Sequence, residues 1–177
     1  LLSRIENGVR SLQLSESTLR SVLDEAISLS AGADLDREVP ILISIDAPLL
    51  ETCLQSDRNL LVAAIQNLLT NSIKFTRAAE KPAESTFSPV EITAELQGGS
   101  LSISIRDNGI GIRKEDEERV FDRFYRSPVH TVEGSGLGLS IVRSSLHRLG
   151  GKAEISNRTD GVRGAVSTIT VPLRCSS

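Results

Sequence analysis

Apolar residues along this chain change period several times, and each change marks an element. Leu19, Val22, Leu23, Ala26 and Ile27 lie three and four residues apart, the spacing of one helix face, with Ser17 or Thr18 placed to cap it. A longer helix follows Asp57 and runs to about Thr76; Leu61, Ala64, Ile65, Leu68 and Ser72 form its inward stripe. Leu139, Val142, Leu146 and Leu149 predict a last helix, stopped by Gly150-Gly151. Elsewhere the period is two. Ile41, Ile43 and Ile45 read as a strand, 90–96 and 101–106 as a hairpin about Gly98-Gly99, and 152–157 and 165–172 as two closing strands. Residues 1–14 read as a helix tail halted near Gly8 and then a short alternating strand, residues 81–89 as a loop, and 113–133 as charged and irregular. Strands and helices mix without strict βαβ alternation. That order predicts an α/β sandwich, an α+β arrangement with one mixed, mostly antiparallel sheet of about five strands and about three helices on one face.

Composition narrows the class only a little. The 177 residues are long enough for one domain with a real core, and 39% hydrophobic with 24% charged residues is ordinary for a globular chain. A net charge of −3 gives no reason to expect nucleic acid. Cys53 and Cys175 have no metal spacing and read as two free thiols of a reducing compartment. No apolar run approaches the ~20 residues of a membrane span. With Leu1 first and no methionine at all, the sequence reads as a piece of a longer protein.

The chemistry concentrates in four short segments. Residues 107–112, Asp-Asn-Gly-Ile-Gly-Ile, end a strand, and residues 134–139, Gly-Ser-Gly-Leu-Gly-Leu, open a helix. Glycine allows close backbone approach, and a helix N-terminus offers unpaired amides to phosphate. Neither box has the Walker or the dinucleotide spacing. On the long helix Asn67, Asn71 and Lys74 stand at i, i+4 and i+7, on one face roughly opposite much of the apolar stripe. Two amides and an ammonium suit Mg²⁺ and phosphate, although taken alone a solvated polar face explains them more simply. Asp107 is either a turn residue or a carboxylate that accepts from an exocyclic amine such as adenine's. Residues 120–126, Val-Phe-Asp-Arg-Phe-Tyr-Arg, hold three of the chain's five aromatics. They read as the latch of a mobile lid or as a small satellite core.

In this order the four segments resemble the catalytic ATP-binding domain of bacterial sensor histidine kinases, within the GHKL ATPase superfamily. Residues 67–75 look like the N box, 107–112 and 134–139 like the two glycine boxes, and 120–126 like the F box. The likeness covers about residues 35–173 and implies the Bergerat-type ATP-binding fold, with an ATP lid over about 112–136. Residues 1–10 are similar to the end of the dimerisation helix that precedes this domain, which leaves 11–177 as the kinase domain.

The resemblance implies ATP and Mg²⁺ as ligands and gives each matching residue a role. Asn71 is the metal ligand, supported by Asn67, and Lys74 contacts phosphate. Phe75 packs near adenine, and Asp107 accepts from its amine within a pocket shaped by Gly109, Ile110, Gly111 and Ile112. Phe121, Tyr125 and Arg126 border the nucleotide from the lid, while Ser135, Gly136, Leu137, Gly138 and Leu139 face the phosphates. Asn67, Lys74 and Arg126 make up the catalytic set. Asn67 stands where hydrolysing relatives carry a glutamate base, so the γ-phosphoryl is kept for transfer. Two departures point to modest adenine affinity: Ala165 follows Gly164 where relatives often have threonine, and the lid is short.

The implied acceptor is a histidine on a dimerisation domain, for relay to a response regulator. His130, followed by Thr131, and His147, followed by Arg148, do not fit it. The chain is therefore expected to bind ATP without labelling itself, as a monomeric piece of a homodimeric kinase. The same resemblance makes it the cytoplasmic portion of a membrane-anchored sensor. Competing readings are a serine kinase of the anti-sigma type, a hydrolysing GHKL ATPase, and a regulatory domain that has lost its nucleotide.

Overall fold

The computed structural model describes residues 11–30, 39–79, 88–127 and 135–173. The helix tail of 1–10, residues 80–87 of the loop, Gly134, His130 and Cys175 lie outside them.

Five strands form the main sheet in the order β2-β4-β5-β7-β6, with β2 Ile41–Ser44, β4 Val90–Gln97, β5 Ser100–Arg106, β6 Lys152–Asn157 and β7 Ala165–Pro172. Only β2 and β4 run parallel; the other neighbours are antiparallel. Alternation decides which face is covered. On β5, Leu101, Ile103 and Ile105 are buried, while Ser102, Ser104 and Arg106 face outward. The outward Ser104 and Thr168 hydroxyls bond each other across the ladder at 2.9 Å.

Against the inner face lie α1 Leu19–Ser30, α3 Arg58–Ala79 and α4 Gly138–Leu149. Their stripes and those of the sheet meet in one core that includes Leu23, Ile65, Leu68, Ile103, Leu146 and Ile169. The expected caps are present. Thr18 Oγ1 accepts from the Ser21 amide at 3.2 Å, and Asp57 Oδ1 accepts from that of Leu60 at 3.3 Å. Gly150 ends α4 at φ 75°. The mixed sheet with helices on one face is therefore as the sequence predicts.

Three details differ from that reading. The first strand, β1, is Leu14–Thr18, later than its apolar alternation suggests, because it pairs with an unanticipated β3, Cys53–Asp57. A single helical turn, α2 Ala47–Leu50, precedes β3, and α3 continues to Ala79. The charged segment contains two short 3₁₀ turns, Lys114–Asp116 and Arg119–Phe121.

Candidate functional site

An open cleft of about 460 Å³ lies between α3, the start of α4, the ends of β5–β7 and the segment after β5. A cleft of that size suits a nucleotide-sized ligand.

Helix α3 supplies one wall. Asn67, Asn71 and Lys74 all line the cleft, with Phe75 beside them. They are half-buried rather than solvent-facing, since α4 packs along the same helix and leaves α3 little open surface. The Asn67 amide nitrogen donates to the Ala63 carbonyl at 2.7 Å, which fixes the rotamer of the side chain. A Cβ on Gly138 would come within 3.1 Å of Asn67 Oδ1 and 3.7 Å of Asn71 Nδ2, so the start of α4 closes on both amides. Helix α4 has no side-chain cap, and Ser135 to Leu139 line the cleft there. Uncapped N-terminal amides and their partial positive charge therefore border the two asparagines.

At the opposite end Asp107 ends the β5 ladder, only 4% exposed. Its Oδ1 accepts from the amides of Gly109 at 2.9 Å and Ala165 at 3.0 Å. The Ser72 hydroxyl also bonds the carboxylate. Burial pushes the Asp107 pKa up, opposed in turn by the Ala165 and Gly109 amides, the Ser72 hydroxyl and the charge of Arg158. Glycine is required twice in this corner. A Cβ at Gly109 would press at 2.9 Å on both Asp107 Oδ1 and Phe75 Cβ, and one at Gly164, φ 146°, would overlap the Asp107 carbonyl.

The β6–β7 connection clamps the first glycine box from outside. Asn157 accepts from the Ile112 amide at 2.8 Å and donates to the Ile112 carbonyl at 2.6 Å. Arg158 Nη1 donates to Asn108 Oδ1 at 2.8 Å and to the Asp107 carbonyl at 3.2 Å. Arg163 Nε donates to the Ile110 carbonyl at 3.2 Å. Gly109 and Ile110 thus support the pocket from behind, whereas Gly111 and Ile112 line it.

The segment after β5 rests on Asp116, which is 1% exposed. Arg113 grips it with Nε at 2.9 Å and Nη2 at 2.8 Å. The Tyr125 hydroxyl donates at 2.5 Å and the Ser127 hydroxyl at 2.7 Å. The Arg113 hydrogen bonds outweigh desolvation, with help from Tyr125 and Ser127, and hold the Asp116 carboxyl well below the usual carboxylate range. Tyr125 and Arg126 line the cleft. Arg119 stacks over the Tyr125 ring, 4.7 Å from its centre. Phe121 is buried in the core and leaves the cleft wall to Val120, while Phe124 is 71% exposed with φ 62°.

The structure therefore brings thirteen of the sequence-selected residues and Asp107 around one cleft: Asn67, Asn71, Lys74, Phe75, Gly111, Ile112, Tyr125, Arg126, Ser135, Gly136, Leu137, Gly138 and Leu139. Arg113, Asp116, Asn157 and Ser167 escape sequence reasoning. A charged run and a loop polar residue carry no periodic signal, and a serine in an alternating strand reads as a gap in the core. Among the described residues no cluster of three or more His, Cys, Asp or Glu could hold a metal, and no helix is long and apolar enough to cross a membrane.

Comparison with known proteins gives a consistent family. Residues 56–175 match the histidine kinase-, DNA gyrase B-, and HSP90-like ATPase family. The chain is 32% identical to the sensor-like histidine kinase SenX3 of Mycolicibacterium smegmatis, over 97% of its own length and 42% of that protein. It is 34% identical to drug sensory protein A of Synechocystis, over 81% of the chain and 19% of that protein. It thus spans less than half of these relatives. Among solved structures it resembles the mycobacterial sensor histidine kinase MprB, with a TM-score of 0.70 and 23% identity over 92% of this chain and 99% of that one. It also resembles full-length ShkA, solved with AMPPNP, with a TM-score of 0.74 and 23% identity over 96% of this chain and 33% of that one. With its fold, cleft and boxes in the matching order, the chain belongs to the histidine kinase-, DNA gyrase B-, and HSP90-like ATPase family, and its relatives there are sensor histidine kinases.

Proposed function

We propose that this chain is the catalytic ATP-binding domain of a sensor histidine kinase. It binds ATP with Mg²⁺ and gives the γ-phosphoryl group to a histidine on a dimerisation domain outside residues 11–177, for relay to a response regulator. The observation that carries the reading is one cleft with two unlike ends. Asp107, a buried acceptor among apolar walls, suits an aminopurine, and Asn67, Asn71 and Lys74 beside the uncapped start of α4 suit phosphates.

The donor set fits Mg²⁺. This ion takes few protein ligands and shares phosphate oxygens and water, so it needs no carboxylate cluster. Asn71 would hold it through amide oxygen, supported by Asn67, in the cradle that a Cβ on Gly138 would fill. When bound, the ion offsets phosphate charge. The chain's own residues do the positioning. Asp107 orients the base, Phe75 and Ile112 shield it from water, and Lys74 and Arg126 answer the phosphates. Residues 112–136 act as the lid. Asn67 cannot take a proton from water at neutral pH, which disfavours hydrolysis and leaves transfer to a positioned acceptor.

The acceptor lies elsewhere in this reading. His147 sits in the last turn of α4, about 14 Å along the helix from its start at the cleft. With γ-labelled ATP, the full-length parent should form an acid-labile phosphohistidine. The chain alone should bind nucleotide and remain unlabelled. Phosphohistidine on this chain, phosphoserine on an added partner, or brisk hydrolysis would each overturn the assignment.

A further inference from the structure

We propose that Arg113 binds the phosphate chain of the nucleotide, with the buried Asp116 carboxylate holding its guanidinium toward the cleft. This rests on the ATP reading above and adds to it a phosphate-binding residue that the sequence does not mark.

Arg113 precedes the first 3₁₀ turn in extended backbone, and that turn brings the carboxylate of Asp116 back onto its side chain. Nε and Nη2 both donate to the carboxylate, so the grip spends one edge of the guanidinium fork. The hydroxyls of Tyr125 and Ser127 take up the remaining capacity of Asp116. The two members of the pair differ in access. The Asp116 side chain is 2% exposed, whereas that of Arg113 is 39% exposed and lines the cleft. Neutralising a buried carboxylate calls for neither an opening onto the cleft nor a five-donor head, since an ammonium does it too. A ligand that meets the exposed side of the fork accounts for both.

The donors and the neighbourhood fix the chemistry of that ligand. Of the five guanidinium N–H groups, two serve Asp116 and Tyr125 bonds a third, which leaves two for a ligand. A cationic donor does not suit the exocyclic amine of adenine, which is itself a donor and is left to Asp107. Through Asp116, Arg113 shares a wall with Tyr125 and Ser127, which flank Arg126 in the cleft lining. Phosphate oxygens are the acceptors that such a wall would meet, and they match the paired donors of a planar fork. The anchor matters as well. A guanidinium already fixed by two hydrogen bonds gives up little rotamer freedom when the ligand arrives.

Calorimetric titration with ATP and with adenosine tests the proposal in wild type, Arg113→Ala, Asp116→Ala and the double variant. Arg113→Ala should bind ATP about tenfold more weakly, the size of one charge-assisted hydrogen bond, and adenosine within about twofold of wild type. The double variant separates binding from stability, because it buries no unpaired carboxylate. It should bind ATP about fivefold more weakly than Asp116→Ala does. An arginine that served only Asp116 would add nothing in that background. Unchanged ATP affinity in Arg113→Ala, an equal loss for ATP and adenosine, or equal ATP affinity in the double variant and Asp116→Ala would each overturn the role of Arg113. Failure of wild type itself to bind ATP would instead overturn the reading of the whole site.

Discussion

At one end of the cleft Asp107 is held by the backbone amides of Gly109 and Ala165 and the Ser72 hydroxyl, while at the other Asp116 is held by the side chains of Arg113, Tyr125 and Ser127. Both carboxyls are nearly sealed from solvent, yet they titrate in opposite directions. Burial dominates at Asp107 and raises its pKa; the guanidinium of Arg113 dominates at Asp116 and lowers it. The difference separates two tasks. A carboxylate with three hydrogen bonds keeps an acceptor position for a ligand, whereas one saturated by four can only hold its own surroundings in place. Base recognition and lid order should therefore fail separately.

The largest expected effect comes from Asp107→Asn. The amide oxygen still accepts from Gly109 and Ala165, so the fold should persist, but an amide nitrogen now meets the base amine. Loss of a charge-assisted bond with an unsatisfied group left behind predicts about 100-fold weaker ATP binding by calorimetry, with an unchanged melting temperature. An equal loss in stability would show that Asp107 is structural.

Acid sharpens the contrast. In the proposed function binding needs the Asp107 carboxylate, and its raised pKa means that protonation begins above the ordinary carboxylate range. ATP affinity should fall with acidification by up to about tenfold per pH unit below that pKa, and Asp107→Asn should remove this slope. Stability responds with opposite signs at the two ends. Raised Asp107 takes up its proton in the folded state first, so acidification through that window relieves the ligand-free protein. Depressed Asp116 stabilises at any pH above its unfolded pKa, and that contribution disappears only as pH falls through the still lower folded value. Identical affinity profiles for wild type and Asp107→Asn would contradict this assignment.

Smaller effects follow at the lid and the clamp. Asp116→Ala removes the partner of Arg113, Tyr125 and Ser127 together. It should lower the melting temperature by about 5 °C and weaken ATP about fivefold while leaving the ATP-to-GTP preference intact. A changed preference would mean that the lid also reads the base. Asn157→Ala, which frees the Ile112 amide and carbonyl, should cost about threefold in ATP affinity and raise amide exchange at 110–112.

How much of this was legible in the sequence depended on whether a feature is periodic or local. Helices α3 and α4, the β4–β5 hairpin and the closing strands β6 and β7 carry their own periodicity, and Thr18, Asp57 and Gly150 mark ends by local chemistry. The β1–β3 pair does not. Cys-Leu-Gln-Ser-Asp has one buried apolar residue, Leu54, and becomes a strand only because β1 lies beside it. The polar triplet of α3 was legible as a face but not as a half-buried one, since α4 packing is tertiary. Asp116 was hidden for a similar reason: in a run of seven consecutive charged residues over 113–119, only the 3₁₀ turns decide which carboxylate is enclosed.

In the proposed function one cleft holds the base at Asp107 and the metal-bound phosphates at Asn71. Equilibrium titration with a fluorescent ATP analogue, with and without Mg²⁺, tests it most directly in wild type, Asn71→Ala and Asp107→Asn. Mg²⁺ should strengthen binding to wild type and to Asp107→Asn, while Asn71→Ala should lose that gain and keep its preference for adenine. Unchanged affinity in both variants would contradict the account.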